Sequence, residues 1–445
     1  MANKDNFFVR NKSIITFLIL EIVALTAFNF GNLSYIFGLV GGLLAIVGFV
    51  FVYNTEKDKK ALLWLLIPIG ILLVISALGS FNGFSKRYQP LLNISLLVAL
   101  PAFFAIGHFV RKLSDVKPKI VLLVVGGGLA AITFFGLAST LIEYGFFYSL
   151  IYKNTPNYYY NGMPYDVTKE MYWLSGFEFG EVFVEYGSIF AILCASYLPG
   201  LLFISPKKER NEFIIAAAIG AVGLLTLLII PNLKALLVLA LASSFAFIYK
   251  YLSGKPKVLK CVGYSFVAIV GLAVLFFVVA LINAAVGFKF GGVLARIFVN
   301  NKIMSGPSNV FAVIFSKGLN NFLGFQVSLS NDKVLLVDTH IFEVELLAEV
   351  GLPGTFLFIG FVIMMGYFMY KYIRKSDDNK QIKTTLVVMI LSFFMFASFS
   401  WASIVAPHDE LSYVPFLRSS ILLVILFLFG YMYMPPVKEK ETKHE

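Results

Sequence analysis

Twelve apolar runs of roughly 20 residues follow one another along this 445-residue chain. They lie at about 13–30, 34–53, 61–80, 91–110, 120–142, 182–204, 212–230, 233–249, 261–284, 341–370, 385–404 and 417–434. A helix rises about 1.5 Å per residue, so each run is long enough to cross a hydrocarbon layer of about 30 Å. Inside such a layer every backbone N–H and C=O must find a partner within the protein, which makes the α-helix the expected form of each run. The fold class expected is therefore all-α: a polytopic membrane protein with about twelve transmembrane helices. Composition agrees, since 59% hydrophobic against 14% charged residues is far from the balance of soluble domains.

The chain carries 36 Lys+Arg and 25 Asp+Glu, a formal charge of +11. An excess of this size serves nucleic-acid binding in some proteins. Here the basic residues occur in short clusters between the apolar runs, so no nucleic-acid partner is expected and membrane lipids are. With the N-terminus in the cytoplasm, the internal segments are 1–12, 54–60, 111–119, 205–211, 250–260, 371–384 and 435–445. They hold 25 of the 36 Lys+Arg. The positive-inside rule then places both termini in the cytoplasm. Lys4, Arg10 and Lys12 precede the first run and Ala24 to Ala27 faintly resemble a cleavage site. That run is long for a signal peptide and another follows at once, so it is read as an uncleaved helix.

The chain is expected to form a single integral membrane domain over 1–445, with a charged cytoplasmic tail at 435–445. Two external connections are long. The first, 143–181, contains Tyr158, Tyr159, Tyr160 and Trp173, suited to stacking on sugar rings or to anchoring at the headgroups. The second, 285–340, lies between helices nine and ten. In its segment GPSNVFAVIFSKGLNN, Val310, Val313, Ile314 and Lys317 share one helical face, which fits an amphipathic helix lying at the outer interface or a plain linker helix. Cys194 and Cys261 fall in different apolar runs, read as packing residues without disulfide or metal. The P-loop, the Rossmann glycine fingerprint and the G-x-S-x-G elbow are all missing, as are external D-x-D motifs and His clusters, so neither metal nor cofactor is expected.

Of four histidines, His444 lies in the tail, and His108, beside Arg111 and Lys112, is expected at the internal surface. His340 and His408 are external. His340 opens HIFEVELLAEVGLPG, where the long loop meets the tenth helix. Near neutral pH an imidazole accepts a proton from a hydroxyl without a strong environmental shift. Glu343, three residues on, shares its helical face and is placed to orient the ring. His340 is open to two readings, a general base or a helix cap at the interface. Glu349, about two turns into the tenth helix, and Glu21, in the first, are read as hydrogen-bonded contacts between helices. The positive-inside rule disfavours external cations, yet Lys86, Arg87, Lys234, Arg296 and Arg418 all lie outside. Snorkelling accounts for any one of them. Together they suit a pyrophosphate or other anionic headgroup.

THIFEVELLAEVGLPGTFLF, preceded by SGPSNVFAVIFSKGLNNFLGFQ, resembles the signature region of the bacterial O-antigen ligase and Wzy-type polysaccharide polymerase superfamily. There an H-N-x-x-L-x-x-x-x-E-x-G-x-x-G pattern follows a long external loop and a segment of the type S-G-R-x-x-x-W. The resemblance covers about a quarter of the chain. It implies a metal-independent glycosyltransferase of the bacterial plasma membrane, with its active site facing outside or the periplasm. The donor implied is an undecaprenyl-pyrophosphate-linked glycan and the acceptor a glycan or lipid core. His340 matches the family's histidine, and Lys234, in IPNLKALLVLALA, falls where the family has an arginine facing the pyrophosphate. The chain departs from the pattern at Ile341, which replaces the asparagine, and at Pro307, which replaces the loop arginine. Arg296 or Arg87 would then supply the second cation, with Lys86, Arg418 and His408 completing the binding set. A transporter or flippase of a lipid-linked glycan is the alternative.

Overall fold

The computed structural model describes residues 34–55, 59–81, 90–112, 117–144, 158–160, 163–165, 184–229, 233–252, 342–400, 417 and 419–435. The runs expected at 13–30 and 261–284, the large loop 285–340 with its amphipathic stretch, and the tail beyond Pro435 lie outside these residues.

The described helices are α1 (Ser34–Thr55), α2 (Lys59–Phe81), α3 (Pro90–Lys112), α4 (Pro118–Tyr144) and α5 (Val184–Ala195). They continue with α6 (Arg210–Ile229), α7 (Leu233–Leu252), α8 (Phe342–Lys375), α9 (Lys380–Ser400) and α10 (Ser420–Met432). Strands β1 (Tyr158–Tyr160) and β2 (Met163–Tyr165) pair antiparallel, with Tyr158 opposite Tyr165 and Tyr160 opposite Met163. Asn161-Gly162, the sequence between them, is the dipeptide favoured in two-residue hairpin connections. The protein is thus all-α apart from this small hairpin among the described residues. Leu62–Gly79, Pro118–Ala138, Arg210–Ile229, Pro353–Lys375 and Lys380–Ser398 are long and apolar enough to cross a membrane.

Local chemistry explains several boundaries. Pro90 and Pro118 open α3 and α4, where the missing N–H has no helical partner to lose. Asn379 caps α9, its Oδ1 accepting the Ile382 N–H at 2.9 Å. The run at 182–204 is not one helix. It divides into α5 and a 3₁₀ turn at Pro199–Phe203, because Pro199 cannot continue the hydrogen-bond ladder of α5.

The helices bury one apolar face and expose another. Phe104, Phe358, Phe361, Phe393 and Phe396 are fully enclosed, whereas Leu43, Phe356 and Ile363 are 64–69% exposed. An exterior of large apolar side chains is unfavourable in water and suits contact with lipid. α9 is the most enclosed of the five long apolar helices. α3 and α10 cross closely at Gly107 and Gly430. A Cβ on Gly107 would overlap the Phe427 carbonyl oxygen, and one on Gly430 the Phe104 carbonyl oxygen. Only glycine lets the two backbones approach so far.

One end of the bundle carries a polar clasp. The Arg111 guanidinium lies 4.8 Å from the Tyr372 ring centre and 5.4 Å from that of Tyr431. It donates to the Tyr431 carbonyl at 3.1 Å and to Ser376 Oγ at 3.3 Å, and stands 3.6 Å from Asp378. The Tyr372 hydroxyl donates to the same carboxylate at 2.5 Å. Lys371 donates to the carbonyls of Met434 and Pro435, and Lys383 to those of Ile373 and Ser376. These cations satisfy carbonyls at and beyond helix C-termini, where helical partners run out and the helix dipole favours positive charge.

The same end gathers other termini. Lys119 at the start of α4 pairs with Glu212 at the start of α6 at 2.5 Å. Lys250 near the end of α7 donates to the Leu202 carbonyl, and Tyr433 beyond α10 donates to the Trp64 carbonyl near the start of α2. His108 does not sit at the surface as its neighbours in sequence suggested. It is buried near the crossing, its ring 5.7 Å from that of Tyr433.

Candidate functional site

The segment singled out by its sequence, HIFEVELLAEVGLPG, is also where the described backbone is most unusual. α8 is not the single helix expected over 341–370. It breaks at Gly351, whose φ of 68° and ψ of −174° belong to a region that essentially only glycine occupies. Pro353 reinforces the break, because it supplies no N–H to the Glu349 carbonyl four residues earlier. The Thr355 hydroxyl donates to the Gly351 carbonyl at 2.7 Å, satisfying one group at the break.

The break folds the first arm of α8, residues 342–350, back toward the second. In a straight helix Phe342 and Phe358 would be about 24 Å apart along the axis. Their ring centres are 6.3 Å apart. Val350 packs where a Cβ on residue 354 would stand, and Leu78 of α2 closes the same corner. Along the arm Phe342, Leu346 and Val350 are buried, and their spacing of four puts them on one helical face. Phe342 also meets Phe394 of α9 at 5.9 Å.

This corner lies at the opposite end of the bundle from the clasp, because the second arm of α8 runs from Pro353 to Tyr372 beside Arg111. α7 begins at this end too, since its far end reaches Leu202, and both α7 and α8 pack on α9. Lys234 is the second residue of α7, directly before the buried Ala235. Glu343 is the second residue of α8, in a first turn where the helix dipole favours a carboxylate. The structure thus puts the helices bearing Lys234 and Glu343 at one end. His340, Arg296, Arg87, Lys86, Arg418 and His408 lie outside the described residues. Glu349 stands about two turns into α8, on the arm before the break and ahead of the long apolar stretch Pro353–Lys375. Among the described residues no group of three His, Cys, Asp or Glu is arranged to hold a metal ion. Cys194 is buried as expected, 3.4 Å from the Thr133 hydroxyl.

The break is the feature that sequence reading missed. Its signal was present in Gly351-Leu-Pro353-Gly354, since a glycine followed by a proline two residues later disfavours an uninterrupted helix.

The fold defines an all-α protein of the membrane-embedded class. No protein-family model matches the chain, and no curated protein is significantly similar to it.

Proposed function

We propose that the protein is a membrane glycosyltransferase that joins an undecaprenyl-pyrophosphate-linked glycan to an acceptor sugar on the outer face of a bacterial plasma membrane. The observation that carries this reading is the coincidence of the Gly351 break with the signature segment. A glycine held at a positive φ is a sparsely populated conformation that persists only where the surrounding structure enforces it, and such positions cluster at functional sites. The motif resemblance and the backbone irregularity thus fall on the same fifteen residues, His340 to Gly354, the motif's own glycine making the break.

The orientation proposed, with both termini cytoplasmic and the break outside, draws support from the clustering of helix ends. The ends near 60, 111, 119, 210, 250, 371 and 434, all assigned to the cytoplasm by their Lys and Arg, are those that meet at or near the clasp end.

In the reaction proposed, the acceptor oxygen forms a bond to the anomeric carbon of the donor sugar as the bond from that carbon to the pyrophosphate oxygen breaks. His340 takes the acceptor's hydroxyl proton, an assistance of roughly 10²–10⁴-fold. The electron pair of the broken bond leaves with undecaprenyl pyrophosphate, whose growing negative charge Lys234 and the external arginines stabilise. The donor's own pyrophosphate linkage supplies the driving force, so no nucleotide is needed outside the cell.

Broken helices also occur in transporters, which makes a flippase of lipid-linked glycans the second reading. Reconstitution of the full chain with undecaprenyl-pyrophosphate oligosaccharide separates them. Glycan lengthening or transfer to a lipid core supports the enzyme; passage of unaltered donor across the bilayer supports the flippase and overturns the enzyme.

A further inference from the structure

We propose that the corner of the bundle formed by the α5–α6 connection and the start of α4 is a docking surface for anionic phospholipid headgroups, held by Lys207, Lys208, Arg210 and Lys117. The inference is independent of the transferase reading. It starts from where the carboxylates go. The Ser205 N–H donates to Glu209 Oε2 at 3.2 Å, and the Ser205 carbonyl accepts the N–H groups of Lys208 at 3.1 Å and Glu209 at 2.8 Å. Glu212 is taken by Lys119 at 2.5 Å, a pair that also joins the start of α6 to the start of α4. Both acids of the corner are thus engaged, one by the turn's own backbone and one by a lysine. Lys117, Lys207, Lys208 and Arg210 are exposed and enter no ion pair or side-chain hydrogen bond among the described residues. An excess of fixed positive charge remains there.

Two further features fit a lipid better than a soluble anion. The turn is seated where a spanning helix begins. It stands immediately before Arg210–Ile229, which is long and apolar enough to cross a membrane, and the preceding Pro199–Phe203 packs on α6, α7 and α9. The Phe203 ring lies 5.6 Å from that of Tyr249, and Lys250 donates to the Leu202 carbonyl at 2.8 Å, so the connection is tied to the end of α7. Ile214 and Ile215, about one turn beyond Arg210 on α6, are 51% and 39% exposed. Cations beside an exposed apolar surface match a headgroup above its acyl chains, and clusters of about four or more Lys and Arg next to a spanning helix recognise anionic lipids. The α8–α9 connection at the same end differs. Arg374, Lys375 and Lys380 are exposed there too, but Asp377 stands exposed among them and Asp378 lies beside Arg111.

The test titrates the purified full-length chain in non-ionic detergent with phosphatidylglycerol and with phosphatidylcholine, and reads bound lipid by native mass spectrometry. Each cation near an anionic surface strengthens attachment by about 5-fold. Lys207→Gln/Lys208→Gln/Arg210→Gln is therefore expected to weaken phosphatidylglycerol binding about 10- to 100-fold and to leave phosphatidylcholine binding within about 2-fold. Arg374→Gln/Lys375→Gln/Lys380→Gln, an equal loss of charge at the same end, is expected to change either by less than about 2-fold. Raising the salt from about 0.1 M to about 1 M, which shortens the screening length from about 10 Å to about 3 Å, is expected to remove most of the wild-type preference for phosphatidylglycerol. Should the first triple variant not fold, Lys207→Gln/Lys208→Gln is scored in its place, with an expected loss of about 5-fold or more. Equal wild-type affinity for the two lipids, equal losses in the two sets of variants, or displacement of bound phosphatidylglycerol by an equal concentration of inorganic pyrophosphate overturns the proposal.

Discussion

The rings of Phe342 and Phe358 are in contact, their centres 6.3 Å apart, although they stand sixteen positions apart in one helical element. That is possible only because the element reverses at Gly351, within the segment whose sequence points to chemistry. A straight helix would place residue 342 well away from Phe358 and from Phe394 of α9. The break therefore connects the sequence motif to a defined place at one end of the bundle.

Gly351→Ala is expected to destabilise the protein by about 1–3 kcal/mol, since a Cβ is strained at its φ of 68°. Thermal unfolding in detergent reads the loss. Transfer activity is expected to fall with it, more than in Gly366→Ala, where a Cβ would meet open space.

Gly107→Leu or Gly430→Leu would force α3 and α10 apart, because each position faces a carbonyl oxygen of the other helix. Overpacking of this kind costs about 1–3 kcal/mol or more. A lowered unfolding temperature with both variants, and little further loss in the double variant, is the expected pattern, since either substitution alone already separates the crossing.

Arg111→Ala removes a guanidinium stacked between Tyr372 and Tyr431 and leaves the Asp378 carboxylate with one partner fewer. The Arg111 side chain is 20% exposed, so solvent screening limits the cost to about 1–2 kcal/mol. Arg111→Lys is expected to recover only part of it, because an ammonium lacks the flat, forked geometry that stacks and donates at once. Unfolding temperatures of the three proteins check the order.

Lys234→Ala is expected to weaken use of the lipid-linked donor, raising its KM or lowering kcat/KM by about 10-fold or more, whereas Lys234→Arg keeps or improves it. Equal kinetics in Lys234→Ala would remove this residue from the pyrophosphate site.

Much of the fold was legible because apolar runs of membrane length leave few structural options. The windows at 34–53, 61–80, 91–110, 120–142, 212–230 and 233–249 each meet a helix within a few residues. Hydropathy misplaced the start of α9, which begins at Lys380 and not near 385. Gln381, Lys383, Thr384 and Thr385 are polar by sequence yet buried, and an apolar window passes over them. His108 differs from its expectation for a related reason: its neighbours Arg111 and Lys112 speak for the surface, while the close approach of α10 encloses it. Of the candidate site, Lys234 and Glu343 are found on helices that begin at a common end. What no window could give is the contact of Phe342 with Phe358, since it depends on one backbone angle.

The most direct measurement uses purified full-length protein in liposomes with radiolabelled undecaprenyl-pyrophosphate oligosaccharide and an acceptor sugar, comparing wild type with His340→Ala. The wild type is predicted to move label from the lipid carrier to the acceptor and release undecaprenyl pyrophosphate, without added metal or nucleotide. His340→Ala, inserted and with an unchanged unfolding temperature, is predicted to lose that transfer by about 10²–10⁴-fold. Equal transfer by the two proteins, or label that only crosses the bilayer still attached to its carrier, would contradict the account.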